Sequence, residues 1–207
     1  MTEYKGMFFL NYATVIDPLL RNIRAYILEF SGMKSGDRVL DVCCGTGDQA
    51  VHYAKRGILA TGVDLSPGMI KLAEKSKRKH GLENVSFQIA DAANLPFKDD
   101  FFDYASISFA LHEQERVTRD ITISEMKRVV KKGGVLIFSD FSIPLPGNLY
   151  ACLVKTIEFL ARRQHYQYFR DYVAQGGLDA ILKKNQLVED KRGSPNRLIT
   201  VIRTKNM

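Results

Sequence analysis

From residue 38 onward, short apolar runs alternate with longer segments in which apolar residues recur at helical spacing. The short runs predict strands near residues 38–43, 59–64, 84–90, 102–109 and 134–140. The longer segments predict helices near residues 48–56, 67–80 and 114–131. Strands that alternate with helices favour a mainly parallel sheet with right-handed crossovers and helices on both faces.

Local signals place the ends of several helices. Asp17-Pro18 predicts a helix start ahead of the alternating region, because Asp caps a helix and Pro suits its first turn. Ser66-Pro67 predicts the start of the second helix of that region, and Gly81 its end. Gly133-Gly134 is expected to end the third helix.

The alternation stops after the fifth predicted strand. The apolar spacing of residues 148–163 predicts an amphipathic helix, and residues 171–184 predict another. Two further runs, 186–190 and 198–203, predict closing strands, with a turn at 193–196 between them.

The clearest chemical signal is the glycine turn after the first predicted strand, where residues 39–48 read VLDVCCGTGD. Such a turn lets the backbone approach a nucleotide-like ligand closely. The second predicted strand ends in Asp64. A carboxylate at that point can accept hydrogen bonds from both hydroxyls of a ribose.

The charges near the turn bear on the kind of nucleotide. Residues 45–50 formally fit a dinucleotide fingerprint, but a pyrophosphate needs the positive end of the following helix. Asp41 and Asp48 would repel a pyrophosphate and attract a cation, a pairing worth roughly 1 kcal/mol in water and ~4 kcal/mol at a protein-like dielectric. S-adenosylmethionine has a sulfonium and an ammonium and no phosphate. A nicotinamide-dependent oxidoreductase that uses the same turn stays open as the alternative.

These residues resemble the class I S-adenosylmethionine-dependent methyltransferases over about residues 37–141. Beyond Asp64, the resemblance is carried by the alternate-residue motif Asp41, Cys43, Gly45, Gly47 and by segments 91–97, 101–109 and 128–134. Cys43 departs from the family, which usually has glycine there. The layout is similar to the ubiquinone and menaquinone biosynthesis methyltransferases, which implies a small acceptor such as a lipophilic ring or quinone-like compound. Residues 110–113 read ALHE and depart from that group, which has a more polar sequence there.

The resemblance implies an α/β fold: a Rossmann-like, doubly wound, seven-stranded and mainly parallel sheet with an antiparallel last strand, in three layers. It divides one domain into an N-terminal helical arm (1–35), a cofactor-binding core (36–141), a substrate lid and helix (142–185) and closing strands (186–207). The implied cofactor-binding residues are Asp41, Cys43, Gly45, Thr46, Gly47, Asp64, Leu65, Asp91, Ala92 and Phe109. Tyr12, ahead of the first helix, is a further candidate that could close over the cofactor; the alternative is that it anchors the arm at the surface.

Methyl transfer from a sulfonium needs a general base only if the acceptor must lose a proton. His112 is the candidate base, because it follows the fourth predicted strand and imidazole titrates near neutral pH. The alternative is that His112 caps a helix or packs beneath the pocket. His165 and Tyr166, in the predicted lid, are further candidates for contact with the acceptor.

Composition narrows the classes of function. The net charge of +7 is spread over several helices, which indicates solvated helix faces; attraction to an acidic membrane surface or to nucleic acid is the alternative. No apolar run reaches the ~20 residues of a membrane span. The first residues lack a signal-peptide pattern. Three cysteines without zinc-type spacing indicate a reducing compartment.

We therefore expect a cytoplasmic enzyme that uses S-adenosylmethionine and a small-molecule acceptor, without a metal ion or a transmembrane segment. Peripheral contact with a membrane stays open. A nucleic-acid methyltransferase, favoured by the basic surface, is a second alternative, although no RNA-binding module is recognisable. A non-catalytic partner subunit is a third, which the presence of Asp41, Asp64 and Asp91 disfavours.

Overall fold

The structure is a computed structural model that describes residues 17–145 and 163–207, with side chains for residues 21–145 and 165–207. One seven-stranded sheet organises these residues. Its strands are β1 (Arg38–Val42), β2 (Leu59–Asp64), β3 (Val85–Ile89), β4 (Phe102–Ser108), β5 (Val130–Phe141), β6 (Glu189–Asn196) and β7 (Ile199–Lys205).

The strand order is β3-β2-β1-β4-β5-β7-β6. Strands β1 to β5 pair in parallel, and β7 runs antiparallel to both of its neighbours. The chain reverses direction along the sheet between β3 and β4, which lie on opposite sides of β1 and β2. The predicted doubly wound, mainly parallel sheet with an antiparallel last strand is confirmed.

Helices cover both faces of the sheet. They are α1 (Asp17–Ser31), α2 (Asp48–Ala54), α3 (Pro67–His80), α4 (Arg116–Val129), α5 (Arg163–Gln175) and α6 (Gly177–Lys184), with a short 3-10 turn at Leu111–Glu113. Because strand side chains alternate between faces, Val39 joins a core with α1 and α2 while Leu40 joins a second core with α4 and α6. The two cores give the predicted three layers.

Several predicted helix ends are confirmed. The Ser66 hydroxyl accepts a hydrogen bond from the Met69 amide at 3.4 Å and so caps α3. Gly81 ends that helix in the left-handed conformation, with φ 62°. The prediction for the third helix is wrong, because α4 ends at Val129 and Gly133-Gly134 lies inside β5. There the Gly133 amide bonds to the Asn206 carbonyl, which adds the end of the chain to the sheet.

The tail differs from its prediction in two places. Residues 171–184 belong to two helices, α5 and α6, because Gly176 and Gly177 adopt φ 98° and 66° and break the helical path. The predicted turn at 193–196 is the end of β6, where Gly193 pairs with Val201 of β7. The predicted amphipathic helix at 148–163 lies almost wholly outside the described residues, with only Arg163 in α5.

None of the helices in the described ranges is long and apolar enough to cross a membrane.

Candidate active site

A narrow crevice opens where β1 and β4 end. It encloses about 30 Å³, room for one water-sized group. The side chains and backbone that line it are those of Arg24, Asp41, Cys43, Cys44, Gly45, Thr46, Gln49, Ser108 and Phe109. Carboxyl ends of parallel strands at a reversal of strand order are where ligands bind in sheets of this kind.

Two non-glycine residues of this lining carry backbone strain. Cys43 and Phe109, directly after β1 and β4, both have φ 55°. Left-handed backbone costs an L-residue roughly 1–2 kcal/mol. Cys43 occupies the position where the resembled family has glycine, and its φ explains why glycine suits it. Burial, with nearby carboxylates, raises the pKa of the Cys43 and Cys44 thiols, so neither is a nucleophile at neutral pH.

The two glycines of the turn are required for different reasons. Gly47 has φ 73°, and a Cβ there would lie 2.5 Å from the Phe87 ring and 2.7 Å from the Ala73 methyl. It therefore lets α2 begin tightly against its neighbours. Gly45 has φ 54°, and a Cβ there would meet nothing within 4 Å among the described residues. The space above Gly45 leaves the backbone open to a ligand.

Asp41 supplies a buried carboxylate at the floor of the crevice. It is 2% exposed, and its Oδ1 accepts a hydrogen bond from the Ser106 hydroxyl at 2.9 Å. Burial raises its pKa from 3.8 to about 7, an effect that the Ser106 bond and the Arg24 charge oppose and the Asp64 charge reinforces. The group therefore changes charge near neutral pH.

Three buried oxygens of the crevice have no hydrogen-bond partner within the described part of the chain: Asp41 Oδ2, Gln49 Oε1 and Ser108 Oγ. The amide of Gln49 is oriented by its Nε2, which donates to the Arg24 carbonyl at 3.3 Å. Buried polar atoms are almost always satisfied in folded proteins. This set of acceptors matches a small donor with several N–H bonds, such as an ammonium.

Asp64, at the end of β2, is held in place by the backbone. Its Oδ2 accepts from the Gly45 amide and its Oδ1 from the Ser66 amide, both at 2.9 Å. Burial raises the pKa of Asp64, and these two bonds oppose that shift. Each carboxylate oxygen keeps a second lone pair, so the group can still accept from two hydroxyls.

The remaining residues expected near an adenine lie further along the same edge. Leu65 is 68% exposed, a large apolar side chain with little protein cover. Asp91 is exposed and its Oδ1 accepts from the Ala93 amide at 2.9 Å, whereas the Ala92 side chain is buried. Tyr12 lies outside the described residues.

The negative charge of Asp48 is paired with basic side chains, whereas the sequence predicts an unpaired charge beside the turn. Arg24, a buried residue of α1, pairs with Asp48 through Nη1, and the His52 ring lies 3.9 Å from the same carboxylate. Arg24 also lines the crevice and so brings a cation beside Asp41. Sequence reasoning missed Arg24; the available signal was a charged residue directly after Ile23 in the apolar stripe of α1.

His112 lies beyond the crevice, in the 3-10 turn, and is 2% exposed. Its Nδ1 is 2.6 Å from Oδ1 of Asp140, a fully buried residue near the end of β5. The same Asp140 oxygen accepts from the Phe141 amide at 2.8 Å, and its other oxygen accepts from the His112 amide at 3.3 Å. Asp140 was also missed by sequence reasoning, although an acid at a strand end is the signal that identified Asp41 and Asp64.

Aromatic rings enclose His112 and connect it to the crevice. Phe141, Phe169 and Tyr172 have ring centroids 4.9, 5.9 and 6.2 Å from the imidazole. Phe109, which lines the crevice, packs against Phe141 at 6.0 Å. His112 is therefore two ring contacts away from the crevice wall.

Arg119 fixes the turn that carries His112. It is 2% exposed; its Nε donates to the Leu111 carbonyl at 2.6 Å, and its Nη2 donates to the Tyr168 carbonyl at 2.9 Å. Its Nη1 donates to Asp171 at 3.2 Å, so one guanidinium joins the 3-10 turn to α5. His165 of α5 lies 3.9 Å from Glu113, at the outer end of the same turn.

The structure thus separates the predicted site residues into three groups. Asp41, Cys43, Gly45, Thr46 and Phe109 line the crevice, whereas Gly47 supports it from behind. The second group, Asp64, Leu65, Asp91 and Ala92, follows the edge toward β3, and the third, His112, occupies its own pocket with Asp140.

Comparison with known proteins agrees with this geometry. Residues 39–134 match a family model described as a methyltransferase domain. Over 133 residues the chain is 35% identical to the demethylmenaquinone methyltransferase of Paenarthrobacter aurescens, which covers 63% of this chain and 50% of that protein. The chain spans about half the length of the curated relatives it matches.

Solved structures show the same fold. A SAM-dependent methyltransferase from Aquifex aeolicus superimposes with a TM-score of 0.74 at 18% identity, covering 96% of this chain and 98% of that one. Phosphoethanolamine N-methyltransferase 2 of Haemonchus contortus, solved with S-adenosyl-L-methionine, gives a TM-score of 0.73 at 19% identity, covering 99% of this chain and 58% of that one. The predicted resemblance to S-adenosylmethionine-dependent methyltransferases is confirmed.

Proposed function

Since residues 39–134 match a methyltransferase domain model, we propose that this chain transfers the methyl group of S-adenosylmethionine to a small lipophilic acceptor, a ring or quinone-like compound. The observation that carries the cofactor assignment is the set of unpartnered buried acceptors in the crevice: Asp41 Oδ2, Gln49 Oε1 and Ser108 Oγ. An ammonium group brings the donors that these oxygens lack.

The other residues of the crevice fit the rest of the cofactor. Arg24 brings a cation suited to the carboxylate of the methionine part. Asp64 keeps lone pairs for the ribose hydroxyls, and the exposed apolar surface of Leu65 suits a face of the adenine. These residues would hold the cofactor along the edge from β1 toward β3.

The bound cofactor supplies a methyl carbon on a sulfonium, which is a good leaving group. The chain therefore needs chiefly to hold the acceptor atom in line with that carbon at ~3–3.5 Å and to keep water out. The enclosing rings of Phe109 and Phe141 can serve both purposes.

The nicotinamide alternative is disfavoured by where the turn amides point. The Gly45 amide donates to Asp64 and the Gly47 amide donates to the Cys44 carbonyl at 2.9 Å. A pyrophosphate needs such amides for itself.

The acceptor is proposed from two lines of support. The curated relatives are named demethylmenaquinone methyltransferases, which suggests a quinone-type ring. Phe109 in the crevice wall and Phe141, which packs against it, suit such a ring. The nucleic-acid alternative rests on the basic surface, but Lys71, Lys75 and Lys79 of α3 are exposed on a helix face and fit the simpler solvated role.

Calorimetric titration tests the cofactor directly. We expect S-adenosylhomocysteine, the demethylated product, to bind and NADH not to bind; the opposite result would contradict the proposal. A second assay follows tritium from methyl-labelled S-adenosylmethionine into a short-chain demethylmenaquinone kept reduced with dithionite, with a DNA oligonucleotide and a transfer RNA as competing acceptors. Label in the nucleic acids alone would refute the small-molecule acceptor.

A further inference from the structure

The His112–Asp140 pair has a feature that simple packing does not require: a fully buried carboxylate whose bonds all come from one small region. Both of its oxygens accept backbone amides, from Phe141 and from His112 itself, and Oδ1 also contacts His112 Nδ1 at 2.6 Å. A buried carboxylate with these donors is held as an acceptor. Nδ1 must then carry the imidazole proton, and the lone pair of the neutral ring lies on Nε2.

The surroundings also favour the protonated ring that a base becomes after it has acted. An imidazolium at this position would have Asp140 on Nδ1 and Glu113 Oε1 3.8 Å from Nε2. The other charged and titratable groups nearby are Arg119 of α4, whose guanidinium interacts with Asp140 and stacks on Tyr172, and His165 of α5, which faces Glu113. The imidazole thus has an acid beside each of its nitrogens, and the Arg119 cation lies near Asp140.

The position of the dyad relative to the crevice completes the case. Gln114, two residues after His112, donates through Nε2 to the Cys43 sulfur at 3.5 Å, which ties the 3-10 turn to the crevice wall. Phe141 lies between the imidazole and the Phe109 ring and contacts both of them. The pocket of His112 therefore adjoins the crevice through Phe141 and through the Gln114 contact.

We propose that Asp140 is a positioning residue that holds His112 as a general base, and that the methyl acceptor is therefore a weak acid: an enol, a phenol or an activated ring carbon. This inference rests on the proposed methyl transfer. The acceptor's O–H or C–H bond breaks and the proton moves to His112 Nε2. The electron pair so released supplies, directly or through the conjugated ring, the new bond to the methyl carbon, and the C–S pair stays on sulfur. The products are S-adenosylhomocysteine, the methylated acceptor and one proton.

The first test needs no acceptor. Histidine labelled with ¹⁵N reports the tautomer and titration of each of the four histidines, with His112→Gln identifying the signal of His112. We expect the neutral ring to carry its proton on Nδ1 and to take a second proton as the pH falls from 9 to 5. A neutral ring protonated on Nε2, or a ring that does not titrate in this range, would overturn the proposal.

The second test removes the charge and keeps the shape. In Asp140→Asn the pH midpoint of His112 should fall by about one unit or more, since an opposite charge in contact typically shifts a titration by 1–3 units. With the reduced demethylmenaquinone probe, kcat should fall about 100-fold or more, as for loss of a general base. The acidic limb of the kcat–pH profile should move by the same amount as the pH midpoint of His112. KM for both substrates should stay within about threefold, because Asp140 contacts neither.

Asp103→Asn is the control, because Asp103 also accepts a backbone amide, from Arg38 at 2.8 Å, but lies at the opposite edge of the sheet, so this variant should change kcat by less than about twofold. An Asp140→Asn enzyme with unchanged kcat and pH profile would overturn the proposal. Binding of S-adenosylhomocysteine separates the base hypothesis from the proposed methyl transfer. If the protein binds it but fails the histidine test, only the role of His112 and Asp140 is refuted. If the protein does not bind it, the proposed function is refuted. If Asp140→Asn does not fold, the wild-type titration still decides.

Discussion

The crevice at the ends of β1 and β4 and the His112 pocket lie at the same edge of the sheet and differ in how their buried polar groups are satisfied. In the crevice, Asp41 and Ser108 each leave an oxygen without a partner among the described residues. In the pocket, both oxygens of Asp140 accept hydrogen bonds, and Arg119 donates to three different residues.

This difference separates two tasks. An unsatisfied buried acceptor costs about 1–3 kcal/mol, a cost that a ligand with donors can offset on binding. A satisfied network instead fixes its members in one geometry before any ligand arrives. The crevice is thus arranged to bind, and the pocket is arranged to hold His112 still. Three measurements can break or sharpen this comparison.

The largest effect is expected in the pocket, on stability. Arg119→Leu removes the donor to the Leu111 and Tyr168 carbonyls and leaves Asp171 without its buried partner. Asp171 keeps Arg116 and Gln175 as partners, so the cost comes from the two carbonyls that lose their donor, at about 1–3 kcal/mol each. We therefore expect the free energy of unfolding by urea to fall by about 2–5 kcal/mol.

Arg116→Leu is its matched control. Arg116 pairs with the same Asp171 at 2.6 Å, but its side chain is 53% exposed. Exposed pairs contribute about 0–1 kcal/mol, so this variant should unfold close to wild type. Equal losses in the two variants would show that the pocket is not a rigid network.

The next effect is expected in the crevice, on binding. Asp64→Ala should weaken S-adenosylhomocysteine binding by about 1–3 kcal/mol through lost charged hydrogen bonds, measured by calorimetry. Asp103→Ala is the comparison, because Asp103 also accepts a backbone amide, from Arg38 at 2.8 Å, but lies at the opposite edge of the sheet. A dissociation constant that Asp64→Ala leaves unchanged would remove Asp64 from the site.

The smallest effect is a pH dependence of binding that Asp41 should cause. Burial raises the pKa of Asp41 to about 7, so its carboxyl group changes charge near neutral pH in the unliganded protein. A cationic ligand favours the ionised carboxylate, so affinity should rise as pH increases and level off above the pKa. Between pH 6 and pH 8 the dissociation constant of S-adenosylhomocysteine should fall about tenfold, which is roughly 1.4 kcal/mol.

The variant Asp41→Asn provides the control for this titration, because it cannot ionise. It should bind S-adenosylhomocysteine more weakly than wild type at pH 8, and its dissociation constant should change little between pH 6 and pH 8. Arg24 and Asp64 act on the same carboxylate with opposite signs, and both remain in the variant. A wild-type profile that the substitution does not flatten would assign the pH dependence to another group.

The strands, the helices and the glycine turn around the crevice could be predicted because their determinants are local. The period of apolar residues fixes strands and helices, and Gly45 and Asp64 mark the end of a strand by residue type alone. The errors in the tail have the same origin. Local sequence predicts one helix through Gly176-Gly177, but their left-handed backbone divides it into two. Local sequence predicts a turn at Gly193, but Gly193 pairs with β7.

The acceptor side could be predicted only in part. His112 was identified by its place after the fourth strand, but its partner Asp140 is 28 residues away. Arg24 and Asp48 are separated by 24 residues, and their pairing changes the charge that the sequence assigns to the crevice.

The sequence by itself therefore determined the fold, the strand ends and the acids that mark the cofactor edge, because these follow from periodicity and residue type over a few neighbours. The tertiary structure alone decided which charges neutralise each other, which oxygens remain unpartnered and which carboxylate contacts the imidazole of His112. Those properties depend on burial and on distances between residues far apart in the chain, where a shift of one ångström decides whether a hydrogen bond exists.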